Sequence, residues 1–60
     1  MKREDLLREI RSHGCHLKRE GAGHSLWVNP CTGRVEAIPR HREIDEMLAR
    51  KIIRRLTRDR

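Results

Sequence analysis

One aromatic ring serves the whole chain. Trp27 stands without a Phe or a Tyr beside it. Any core must therefore be assembled from Leu, Ile and Val on a few short elements, with Trp27 expected as packing material at the core or its edge rather than as a platform for a base. At 60 residues a domain buries only about 60% of the surface its unfolded chain exposes. That leaves room for a binding face or a shallow site, but not for a deep pocket with its own lid. The expectation is one domain over residues 1–60, frayed at Met1 and from about 57 to 60.

The scarce apolar residues fall into five short runs. Leu6, Leu7 and Ile10 share one face of "KREDLLREIRSHG", which predicts an amphipathic helix over about 2–12 stopped by Gly14. "CHLKRE" predicts a strand that turns at "GAG" into a second strand, "HSLWVNP". There Leu26 and Val28 share one face and Ser25 and Trp27 the other. Pro30 and Gly33 mark a turn, and "RVEAI" predicts a third strand closed by Pro39. A loop, "PRHREID", leads to a last helix with Asp45 at its N-terminus. Its apolar face is expected to hold Met47, Leu48, Ile52 and Leu56, with Ala49 and Ile53 beside them. The order is α-β-β-β-α, an α+β fold with a three-stranded antiparallel sheet and both helices on one face.

Charge narrows the partners. Fifteen Lys and Arg stand against nine Asp and Glu, a formal net of +6, and arginine dominates the excess. Arg forks bidentately onto phosphates and carboxylates. A polyanion is therefore the expected partner: nucleic acid first, then an acidic protein, then an anionic membrane surface. The N-terminal stretch lacks the apolar h-region of a signal peptide, and no run is long enough to span a bilayer. Cys15 and Cys31 are accordingly read as reduced thiols in a cytoplasm.

Four histidines are the candidates for proton transfer near neutrality: His13, His16, His24 and His41. His13 ends a helix, where a cation suits the dipole, and His16 has the setting of a surface strand residue. His24 follows Gly21 and Gly23 at a strand start, where a bare backbone lets a large ligand approach closely. Its parity with Leu26 and Val28 predicts the covered face of the sheet, unless a strand end or bulge turns it outward. Ser25 adjoins His24, but neighbouring strand residues point to opposite faces, so the two do not form a nucleophile–base pair. The cysteines and histidines lack paired zinc-ligand spacing, and no phosphate-loop or dinucleotide fingerprint is present. No metal and no cofactor is expected. A basic set on strands and loop (Lys18, Arg19, Arg34, Arg40 and His41) would hold a phosphodiester beside a proton carrier.

"HGCHLKREGAGHSLWVNP" followed by "AIPRHREIDEMLARKIIRRL" resembles the HicA toxins of bacterial toxin–antitoxin modules. The resemblance runs from the first helix to about Leu56 through Gly14, Arg19, Gly21, His24, Trp27, Gly33, Pro39 and His41. It implies a compact fold like a double-stranded-RNA-binding domain, and an mRNA endonuclease whose action halts translation. It assigns catalysis to His24; the residues expected around the substrate are Lys18, Arg19, Gly23, Ser25, Arg34, Arg40 and His41. It also implies a HicB-type antitoxin that covers the active face and, together with the toxin, binds promoter DNA. Many members carry Gly-Ser before this histidine, whereas Ala22 and Gly23 stand here. Two other readings fit the same charge: an RNA-binding module of this fold that performs no chemistry, and a protein whose basic surface meets only an acidic partner.

Overall fold

The computed structural model describes residues 1–58. The chain runs α1 (Arg3–Ser12), β1 (His16–Glu20), β2 (His24–Asn29), β3 (Arg34–Pro39) and α2 (Glu46–Thr57). The three strands form one antiparallel sheet in the order β1-β2-β3. Both helices lie on one face of it, in the layout of a double-stranded-RNA-binding domain. Among the described residues no helix is long and apolar enough to cross a membrane.

Local chemistry accounts for the boundaries. Gly14, at φ +89°, lets the chain leave α1 through a left-handed residue whose N–H donates to the Arg11 carbonyl. Asp45 caps α2, its carboxylate accepting from the Leu48 N–H at 3.2 Å. Arg50, one turn on, donates to Glu46 at 3.0 Å and holds that carboxyl below the usual carboxylate range. Thr57 is the last helical residue of α2, and its hydroxyl donates to the Ile53 carbonyl. Met1 is likewise built in, its carbonyl accepting from the Ile44 N–H. Residues 59 and 60 lie outside the described residues.

The core gathers Leu6, Leu7 and Ile10 of α1, Ala49, Ile52 and Leu56 of α2, and Cys15, Trp27, Ile38 and Ile44. Trp27 is 4% exposed, with the Arg11 guanidinium 5.1 Å above its ring. Its indole N–H is buried without a hydrogen-bond partner among the described residues. Two expectations about burial need correction. Met47 and Leu48 do not join the apolar face of α2: they are 80% and 40% exposed, while Ala49, Ile52 and Leu56 take the inner stripe. Six apolar side chains in twelve helical residues subtend more of the helix than a three-stranded sheet and one neighbouring helix can cover.

The second correction concerns β2. Its buried side chains are Ser25, Trp27 and Asn29, while Leu26 and Val28 are half-buried on the open face. His24 shares that open parity and is exposed. The alternation of the strand is as expected, but its direction is reversed. Trp27, the largest single apolar side chain on the strand, goes inside, and that direction is open because the polar side chains flanking it are paired there. Both polar neighbours of its parity find partners inside.

Candidate functional site

His24 is the first residue of β2 and sits where three segments meet. The Gly21 N–H donates to the His24 carbonyl at 2.8 Å, closing the turn between β1 and β2. Gly23 holds that turn at φ +79°, a left-handed conformation that costs a side-chain-bearing residue about 1–2 kcal/mol. A Cβ at Gly23 would meet nothing within 4 Å, so the requirement is conformational rather than one of space. Pro39 lies directly across β3 from His24. The imidazole therefore stands at the rim of the sheet, on the face the helices leave open.

The turn that carries His24 is held from beneath by a charged web. The Ser25 hydroxyl, 0% exposed, accepts from Arg3 Nη2 at 2.9 Å and donates to Glu20 Oε1 at 2.7 Å. Arg40 Nη1 donates to the same carboxylate oxygen at 2.7 Å, and its Nη2 donates to the Gly21 carbonyl. Arg3 Nε donates to the Pro39 carbonyl at 2.9 Å. Arg3 from α1 and Arg40 from the loop after β3 thus reach Ser25 and Glu20, the two residues flanking the His24 turn. Charge-assisted bonds of this kind are roughly twice as strong as neutral ones and fix geometry as well as energy.

The residues expected around the substrate divide accordingly. Arg19 lies on the open face with His24, since it pairs with Leu26, which has the same parity. Lys18 is the extra residue at a bulge between Leu17 and Arg19, and it is exposed. Arg40 reaches the turn itself. Gly23 and His41 are exposed, in the turn and in the loop after β3. Two placements differ from expectation. Ser25 is wholly buried with its hydroxyl engaged on both sides, so it presents nothing to a ligand and acts on the turn instead. Arg34 pairs with Asn29 at the far end of the β2–β3 hairpin, five residues from the His24–Pro39 pair, roughly 17 Å away at about 3.4 Å per residue. It does not join the cluster.

The other histidines take quieter positions. His13 Nε2 lies 3.5 Å from Glu9 Oε2 at the end of α1. His16 is exposed on the open face opposite Val28. Sequence reasoning singled out neither Arg3 nor Glu20. Their partners lie 22 and 36 residues away for Arg3 and five for Glu20 through Ser25. The only available signal was a polar residue, Ser25, on the parity of Trp27.

Chemically, the arrangement offers an exposed imidazole at a hydrogen-bonded turn, with Arg19 on the same open face and Arg40 bonded to the turn. That suits moving a proton next to an anion. The chain matches no family model, no curated protein and no solved structure.

Proposed function

We propose that this protein is a ribonuclease toxin of the HicA type, cleaving mRNA at His24 by transesterification. The observation that carries the reading is the bonded turn: a charged web from α1, β1 and the loop after β3 holds the residues on either side of the turn that presents one exposed histidine. A histidine needed only for solubility would not call for that support.

In the proposed reaction His24 takes the proton from a ribose 2′-OH. The freed oxygen attacks the adjacent phosphorus, and the 5′-oxygen departs with a proton from water, leaving a 2′,3′-cyclic phosphate; the resulting hydroxide takes the proton from His24 and restores the free base. Arg19 and Arg40 stabilise the charge that builds on the phosphoryl oxygens. One histidine performs the base or the acid step, not both together. Acid–base assistance of this sort contributes roughly 10²–10⁴-fold. The enzyme is therefore slow, which suffices when every message is a substrate. The steps proposed need no cofactor.

A HicB-type antitoxin would cover the His24 face, matching the basic rim with acidic groups, and promoter DNA would be bound only by the two proteins together. The working compartment is the cytoplasm, where messages are translated. Induced expression tests the reading. Wild type should arrest growth and deplete total mRNA on a northern blot, whereas His24→Ala at equal abundance should do neither. Equal arrest by both proteins would remove His24 from catalysis and favour an RNA-binding module without chemistry.

A further inference from the structure

A groove of about 490 Å³ opens between the N-terminus of α1 and the loop that follows β3, lined by Lys2, Arg3, Glu4, Leu7, Arg40 and Arg42. Four of these six side chains are cationic and one is acidic. The groove lies at the same end of the sheet as His24, because Arg3 holds the carbonyl of Pro39 and Pro39 is the cross-strand partner of His24. Arg40 belongs to both places, reaching the turn through Glu20 and Gly21.

We infer that this groove is a second phosphate subsite, gripping the RNA backbone next to the scissile phosphodiester; the inference rests on the ribonuclease reading for the identity of the polyanion. Two kinds of cation line it. Arg3 and Arg40 are held in place by bonds to Pro39, Ser25, Glu20 and Gly21, so their charge is positioned before any ligand arrives. Lys2 and Arg42 make no side-chain hydrogen bond or ion pair among the described residues and are free to close on an anion. Backbone pairing seats both of them: the Arg3 N–H donates to the Arg42 carbonyl at 2.8 Å, and Lys2 bridges to Glu43. An RNA strand lying over His24 on the open face would turn round the rim of the sheet at Arg40 and enter the groove with its next phosphates.

The test uses Lys2→Gln with Arg42→Gln, which alters no side-chain bond of the fold, and a 2′-O-methyl RNA 12-mer, which lacks the attacking hydroxyl. Binding is measured against salt concentration. Each phosphate contact on a single strand contributes about 0.7 to the slope of log affinity against log salt. The double variant should lower that slope by about 1.4 and bind less tightly at low salt, with an unchanged thermal midpoint. Lys51→Gln with Arg54→Gln removes the same charge from the outer face of α2 and should lower the slope much less. Equal losses for the two pairs, or no loss for the groove pair, would overturn the subsite. Cleavage of all-ribose RNA by wild type is scored separately. Its absence beside a normal groove effect would refute the ribonuclease reading while leaving the groove standing.

Discussion

Two polar side chains are buried on β2, on the same face and with Trp27 between them, yet they serve different ends. Asn29, 4% exposed, makes neutral bonds: its Nδ2 donates to the Leu56 carbonyl at 2.6 Å and its Oδ1 accepts from the Cys31 N–H at 2.9 Å. It ties the last turn of α2 to the β2–β3 turn, and no charged group enters. Ser25, 0% exposed, is wired to Arg3 and Glu20, and through Glu20 to Arg40. One end of the strand is a structural rivet, whereas the other couples the interior to a charged, exposed rim. Burial alone does not separate the two. The charge of the partners does, because ionic partners reach solvent and can also meet a ligand.

The sharpest way to break the comparison is to exchange the ends. His24→Gln should reduce RNA cleavage by about 10²–10⁴-fold without moving the thermal midpoint, since the side chain is exposed. Arg34→Gln at the opposite end should leave the cleavage rate where it was. An equal effect from both would mean that the two ends are not functionally distinct.

Next come the two buried polar groups themselves. Asn29→Ala leaves the Cys31 N–H and the Leu56 carbonyl without this partner and should cost about 1–3 kcal/mol in urea unfolding. The cleavage rate per folded molecule should be preserved. Ser25→Ala should cost a similar amount but should also slow cleavage, because the turn beneath His24 is loosened. A Ser25→Ala protein that is destabilised yet fully active would show that the charged web is merely structural.

Gly23→Ala sharpens the account of that turn. It should destabilise by about 1–2 kcal/mol through its left-handed backbone and lower cleavage alongside. Gly21, without such a φ, should tolerate Ala better in the same assay.

The smallest effect belongs to the rivet end, where burial pushes the Cys15 thiol up and nearby Cys31 adds to it. Below the ordinary thiol pKa, folded and unfolded chains both keep the proton, and the stabilisation is complete. Above it the unfolded chain loses the proton first, so stability falls as pH rises toward the folded value. Thermal midpoints between about pH 8 and pH 10 should therefore fall more steeply for wild type than for Cys15→Ala. Exposed Cys31 should alkylate in the folded protein while buried Cys15 resists, as peptide mass spectrometry would read directly.

Much of the fold is legible in the residues. Helix and strand limits follow from Gly14, Asp45, Pro39 and the alternation in "HSLWVN", because these are local signals acting within a turn or two. Which side of β2 faces inward is not local. Leu26 and Val28 argue one way and Trp27 the other, and only the fit of Ser25 to Arg3 and Glu20, and of Asn29 to Leu56, decides it. The candidate site follows the same pattern. His24 and Arg40 stand out through the glycines and the basic loop, but Arg3 enters only when α1 folds back on β3. Arg34 looks like a neighbour because it is basic and on a strand, and the hairpin register puts it at the wrong end.

The most direct measurement is cleavage by the purified protein, in EDTA, of two RNA oligonucleotides that differ by a single 2′-deoxy substitution at the cleaved position. The account predicts cutting of the all-ribose strand to a 2′,3′-cyclic phosphate and an intact deoxy strand. Cleavage of both strands, or of neither while the chelator is present and of both once magnesium is restored, would contradict a histidine-driven attack by the 2′-hydroxyl.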